Sequence, residues 1–242
     1  GKGQQAEAPH QEEEVTGADE WEEVTGGRNR SAVTRHVSAY GAASSASRVT
    51  HIFGGQLRSV VKTAGVKPSA TVQPFHLLQL NILPESVASV EDGLLLMTAP
   101  EPLHGYKSEK GNGAEVAASK SVFIQLPPRV LVLHLMRFTY TAEGMGKLLK
   151  PVAFGAALTL RKDLLTRLPN GMEGCTYDLF ATVAHHGQNP SGGHYTADTR
   201  RSNGQWMRFD DGLVSPVQQA QVLDSQAYLL LYQLRPPQKA QG

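Results

Sequence analysis

The C-terminal third of the sequence confines the fold more tightly than any other stretch. Four segments of strand length and composition, TYDLFATVAHH, HYTADT, QWMRFDD and AYLLLYQL, follow one another between residues 176 and 234. The connections among the first three are too short for the crossover that parallel neighbours require, so these strands pair antiparallel. Between the last two, Ser215 followed by Pro216 reads as the start of a short helical turn. A further segment, LPPRVLVLHLMRF, places two prolines before an apolar run with little polar alternation, the pattern of a strand at the centre of a sheet. Its His134 reads as a core or hydrogen-bonded histidine. Upstream, IFGGQLRSVV and TVQPFHLLQLNI read as strands, the second buried on both faces. In SVEDGLLLM, Ser89 stands three residues before Asp92, a capping-box spacing that opens a short helix with Val90, Leu94 and Met97 on one face. The expected class is α+β with a mainly antiparallel sheet.

Composition separates this folded part from its flanks. Residues 1–50 hold the acidic run QEEEVTGADEWEEVTGG and the Ala/Ser/Gly stretch YGAASSASRVT, with no sustained apolar period. Such segments bury too little surface to offset chain entropy and read as disordered linker. The folded part is expected over 51–235, followed by a tail at 236–242. Because Gly1 stands where an initiator Met would, the sequence reads as processed or as part of something longer. A net charge of +1 with 19% charged residues provides no strong field, which argues against nucleic-acid and membrane partners. The longest apolar runs, VLVLHLM and YLLLYQL, fall far short of the roughly 20 residues a spanning helix needs. One cysteine allows no internal disulfide framework, which fits a reducing cytoplasm or nucleus.

Asn203-Gly204 inside RRSNG is a hairpin signal, and the midpoint between positions 194 and 210 falls within that turn. His194 is therefore expected across the ladder from Asp210, within a few residues of register. Opposed side chains on one face stand about 5 Å apart at Cβ, close enough for a carboxylate to fix an imidazole tautomer. The same spacing also suits a purely structural pair at two strand ends. Gly192 and Gly193, directly before the histidine, let a ligand backbone approach and permit positive φ. The stretch GQNPSGG reads either as a movable loop or as an ordinary hairpin loop. His185 and His186 alternate across the strand and cannot chelate one metal together. No other spacing suits a metal. Cys175 lies eleven residues before His186 along a strand, on the order of 35 Å away, and reads as a small buried thiol. Ser191 lacks the surroundings of a nucleophile.

GGHYTAD, followed by WMRFDDGLVSPV and AYLLLYQL, resembles the histidine box of the ubiquitin-specific proteases, and LPPRVLVLHLMRF resembles an internal strand motif of that family. The resemblance runs from about His51 to Leu234. It implies a thumb, palm and fingers fold in which ubiquitin is gripped by the fingers and its C-terminal tail enters a cleft between thumb and palm. It implies His194 as catalytic histidine, Asp210 as its orienting acid and Asp211 as an assisting acid. Gly192 and Gly193 match the glycines flanking the tail cleft, preceded by a blocking loop. Nothing in the sequence matches the family's N-terminal box with the nucleophilic cysteine, so the thumb is expected to be missing. Where relatives hold a finger zinc on two C-x-x-C pairs, this sequence has Thr63 and Val66, then Ser108 and Gly111, which cannot act as thiolate ligands. No cofactor is expected, and the implied partners are ubiquitin and ubiquitinated proteins. The implied activity is thiol-dependent hydrolysis after ubiquitin's terminal glycine. The alternatives are a fragment that binds ubiquitin or a partner without catalysis, and a chain too incomplete to fold alone.

Overall fold

The computed structural model describes residues 21–24, 32–36, 47–107, 115–141, 144–166, 174–189 and 192–236. Strands β1 (Trp21–Val24) and β2 (Ala32–His36) come first, then helix α1 (Arg48–Phe53), β3 (Gly55–Thr63), β4 (Ser69–Phe75), β5 (Leu78–Leu80) and helix α2 (Val90–Thr98). These are followed by β6 (Glu101–Leu103), β7 (Ala118–Leu126), β8 (Val130–Leu135), β9 (Phe138–Thr141), β10 (Gly144–Lys147), β11 (Ala157–Arg161) and a 3-10 turn at Lys162–Leu164. The last quarter contributes β12 (Gly174–Asn189), β13 (Gly192–Arg200), β14 (Trp206–Asp210), β15 (Leu213–Val217), helix α3 (Gln219–Leu223) and β16 (Ala227–Leu234).

Two large sheets and the separate two-stranded hairpin β9–β10 make up this architecture, which is α+β and mainly antiparallel. One runs in the order β1-β2-β4-β3-β7-β6, and the other in the order β15-β14-β13-β12-β16-β8-β5 with β11 added beside β12. Among the strands of the described residues, the β2–β4 and β5–β8 pairs are parallel and the others antiparallel. The core lies where the sheets meet α2: Leu57 and Ile124 of the first sheet pack in one cluster with Leu131, Leu133, Leu230 and Tyr232 of the second and Leu94 of the helix. Along β8 the burial alternates, with Leu131, Leu133 and Leu135 fully buried and Val130, Val132 and His134 only half-buried. The strand thus has one core face and one partly open face, and it lies inside the sheet between β16 and β5, as its apolar run led one to expect. Centrality in the sheet restricts a strand's edges, while burial depends on what covers each face.

Four expectations change. The segment around Ile52 starts as a helix, because Ser47 accepts a hydrogen bond from the Thr50 N–H and caps α1; the strand begins only at Gly55. TVQPFHLLQLNI, expected as one strand buried on both faces, divides between the two sheets at His76 and Leu77, and each piece has one buried face only, with Gln73, Pro74 and Gln79 exposed. Ser215 and Pro216 lie in edge strand β15, where Pro216 pairs with Met207 and needs no second ladder; the short helix begins after Gln218. Within 1–50, expected as linker, the backbone forms β1, β2 and the first turn of α1, while the rest of that stretch up to residue 46 lies outside the described residues, as does the tail beyond 236. The α2 capping box is present as expected: Ser89 Oγ accepts from the Asp92 N–H at 3.1 Å, and Asp92 accepts from the Ser89 N–H at 2.9 Å.

Candidate active site

The 16-residue strand β12 and its partner β13 carry the site between them. Ala184 faces Thr196 and His186 faces His194; the register then shifts before Asn189 meets Gly192. Strand β14 lies on the far side of β13, with Ala197 facing Phe209 and Arg200 facing Trp206. Continuing that register sets Asp210 opposite Thr196, two residues short of His194. The two residues are therefore diagonal neighbours on one face, which still lies within reach of long side chains.

His194 Nε2 and Asp210 Oδ1 stand 2.5 Å apart, both side chains a little under half exposed. With Nε2 engaged by the carboxylate, Nδ1 is the nitrogen left for proton exchange with another group. Asp211 Oδ2 lies 3.9 Å from that nitrogen but is 85% exposed. Asp211 itself sits at φ 49 in the two-residue connection from Asp210 to Leu213, a left-handed position that aspartate tolerates. Among the described residues, His194, Asp210 and Asp211 form the one group whose metal-ligating atoms come within 4.8 Å of each other. The contact between Nε2 and Oδ1 is a direct hydrogen bond, too short to hold an ion between them at about 2 Å from each.

The rest of this face is polar and ordered. The His186 ring stacks on that of His194 with centroids 6.0 Å apart, and its Nε2 is 2.8 Å from Thr196 Oγ1. Buried Asp198 accepts two hydrogen bonds from Arg208, each 2.8 Å. That bidentate contact raises the guanidinium above its ordinary value, with the charges of Asp198 and Asp210 adding to it. His185 points to the opposite face, buried among Phe138, Tyr195 and Tyr228. Burial, and then the charges of Lys147 and His186, push its imidazole below the usual value. The paired histidines thus take opposite faces, as strand alternation requires.

The two glycines before His194 are not equivalent. At Gly193 φ is +152°, and a Cβ there would meet His186 O at 2.3 Å and His185 Nε2 at 2.5 Å. A Cβ at Gly192 would meet nothing within 4 Å. Pro190 and Ser191, in the middle of the expected blocking loop, lie outside the described residues. Beside the site a cavity of about 450 Å³ is lined by His186, Thr196 and Arg208 on the sheet, by Lys147, and by Gln221 and Gln226 near α3. Cys175 is elsewhere: it faces Leu160 at the opposite end of β12, buried, its thiol pushed up by desolvation. At the finger end, Thr63 closes β3 and Val66 is exposed beyond it, while Ser108 and Gly111 lie outside the described residues.

Sequence reasoning singled out the pair and the glycines and missed the groups around them. The period-two face of HYTADT, with Thr196 and Asp198 two and four residues beyond His194, was a signal for the polar face. Asp211-Gly212 between apolar segments was a turn signal that would have extended β15 through Pro216. Nothing local marked Lys147, whose contacts are made by the fold.

Comparison with known proteins gives a consistent result. The family described as ubiquitin carboxyl-terminal hydrolase matches residues 21–232. Ubiquitin carboxyl-terminal hydrolase 24 of Arabidopsis thaliana is 50% identical over 215 residues, covering 88% of this chain and 38% of that protein. Ubiquitin carboxyl-terminal hydrolase 10 of Rattus norvegicus is 41% identical over 224 residues, covering 88% of this chain and 27% of that protein. The chain thus spans about a quarter to two fifths of the length of these curated relatives. Among solved structures, the yeast SAGA DUB module carrying a mutant Sgf73 superposes with a TM-score of 0.69 at 32% identity, over 77% of this chain and 42% of that one. The SAGA Ubp8/Sgf11/Sus1/Sgf73 module bound to ubiquitin aldehyde gives 0.68 at 31% identity, over the same shares.

Proposed function

The chain belongs to the ubiquitin carboxyl-terminal hydrolase family of ubiquitin-specific proteases, and we propose that it supplies the histidine and the acid of a cysteine-type deubiquitinase. The observation that carries this reading is the 2.5 Å contact between His194 Nε2 and Asp210 Oδ1, with Nδ1 turned away from that carboxylate. The nucleophile comes from a cysteine on a segment other than these 242 residues, because Cys175 is buried at the far end of β12. His194 Nδ1 takes the thiol proton. The resulting thiolate attacks the carbonyl carbon of ubiquitin's last glycine, and His194 returns the proton to the departing amine as the C–N bond breaks. Water, deprotonated by the same imidazole, then splits the thioester and regenerates the thiol. Asp210 holds the imidazole in place and stabilises its protonated form during both steps. Asp211, exposed and 3.9 Å from Nδ1, assists weakly through its charge. Gly192 and Gly193 form the side-chain-free wall for a thin substrate tail, and the ubiquitin aldehyde held by the Ubp8 module supports ubiquitin as the partner.

The test joins a cysteine-bearing segment, in cis or in trans, to this chain and follows cleavage of a ubiquitin amide reporter. His194→Ala should abolish turnover, and turnover that persists would overturn the assignment. A second reading, favoured by the remote position of Cys175, is that the chain alone binds ubiquitin without hydrolysing it. It predicts measurable ubiquitin binding and no covalent capture by ubiquitin with a C-terminal electrophile; a conjugate at Cys175 would refute it.

A further inference from the structure

Two cations grip backbone carbonyls where the hairpin β9–β10 joins the second sheet. Arg137, 1% exposed, donates from Nε to Ala227 O at 2.6 Å and from Nη1 to Leu148 O at 3.2 Å and Lys150 O at 2.9 Å. The Leu148 N–H returns a hydrogen bond of 2.6 Å to Arg137 O. These bonds fasten the exit of the hairpin to the start of β16 and leave its last residue, Lys147, on a fixed base. From that base Lys147 Nζ donates to His185 O at 2.5 Å and to Gly187 O at 3.0 Å. Burial, and then repulsion from Arg137, pull its ammonium below the ordinary lysine value.

The two carbonyls belong to the last residues of strand β12 before the glycine pair. Gly187 has φ +129°, and a Cβ there would lie 3.0 Å from Gly192 O and 3.1 Å from Gly193 Cα. Gly193 packs in turn on His186 O and the His185 ring, and His194 follows it in the chain. Contacts therefore run without a gap from the ammonium to Gly187, to Gly193 and to the imidazole that Asp210 orients. A neutral side chain of the same length would leave both carbonyls without this donor, and the apolar edge contact of Phe138 with the His185 ring would remain as the link between the hairpin and the glycine backbone.

We propose that Lys147 is a positioning residue: a strut that ties the β9–β10 hairpin to the glycine backbone beside His194 and so fixes the wall of the substrate-tail cleft. Its effect on turnover rests on the deubiquitinase reading, but the tether itself does not. The ammonium is bonded to backbone carbonyls and not to His194 or Asp210, so its removal acts on tail binding more than on proton transfer. An arginine can reach the same carbonyls with a different donor geometry and restores part of the link.

Two measurements test this on Lys147→Met and Lys147→Arg. The first is amide hydrogen exchange of the 242-residue chain. Lys147→Met should speed exchange at Gly187, Gln188 and Gly193 at least tenfold, with Lys147→Arg intermediate and the amides of β8 and β16 unchanged. Unchanged exchange at the glycines, or acceleration spread evenly over the sheet, would overturn the strut. The second is steady-state cleavage of a ubiquitin reporter with the cysteine segment supplied. KM should rise about tenfold for Lys147→Met while kcat falls less than threefold, and Lys147→Arg should recover much of the loss. A fall in kcat with KM unchanged would overturn the positioning role. If His194→Ala leaves cleavage intact while the exchange pattern holds, the deubiquitinase reading fails and the tether stands.

Discussion

At the residue scale, neighbouring positions of the same type carry different burdens. Gly192 and Gly193 look alike in sequence, but only Gly193 combines a positive φ with a backbone oxygen 2.3 Å from where a Cβ would stand. Gly193→Ala should destabilise the protein by about 3 kcal/mol, whereas Gly192→Ala should stay within about 0.5 kcal/mol. Urea unfolding of both variants checks the contrast, and equal midpoints would contradict it. The acids divide in the same way. Asp210 is in direct contact with the imidazole, so in the cysteine-complemented protein Asp210→Asn should lower kcat by up to about 10⁴-fold by supporting the wrong tautomer. Asp211→Asn should keep kcat within about fivefold, because an exposed charge at that distance is heavily screened. The pair itself was legible because strand alternation and an Asn-Gly turn locate one side chain across from another. The register was not, and the diagonal placement of Asp210 follows from where the turn settled.

At the element scale, local chemistry was legible wherever it closed on itself. The α2 capping box needs only Ser89 and Asp92, three residues apart, and both of its hydrogen bonds form. Ser89→Ala should therefore cost about 1 kcal/mol, read as a lower denaturation midpoint with unchanged slope. Asp92→Asn should weaken the same cap, and a null effect from both would show that α2 is held by packing alone. Where two signals competed, the sequence reading failed. Ser47 captured residues 48–53 for a helix although Ile52 and Phe53 continue into a strand-like apolar pattern. Pro216 suggested a helix start, but at a sheet edge its missing N–H costs no ladder bond, and pairing with β14 prevailed.

At the scale of the whole molecule, two histidines of the second sheet sit in aromatic surroundings, His134 half-buried against Tyr228 and His185 buried between Phe138 and Tyr195. Burial lowers the imidazoles of His134 and His185 from the ordinary 6.5. The folded protein thus keeps them neutral at a pH where the unfolded chain takes up protons. Their contribution to stability is complete above about pH 6.5 and is lost as pH falls from there towards the lowered folded values. Melting temperature should accordingly drop between pH 7.5 and pH 5.5. The drop should be smaller in His134→Gln, whose side chain does not titrate, and identical pH profiles for the two proteins would refute the assignment.

The sequence by itself determined the pairing sense of the last strands, the cap of α2, the opposite faces of His185 and His186, and the family resemblance carried by the histidine box. Each depends on residues near in sequence, where bond geometry and strand period leave few alternatives. Only the tertiary structure decided that TVQPFHLLQLNI serves two sheets, that β1 and β2 extend the first of them, that Asp198 and Arg208 share the face of His194, and that Lys147 reaches two carbonyls some forty positions away. These are contacts between distant segments. They are set by which faces the core covers and how the strands slide into register, and no local pattern encodes either.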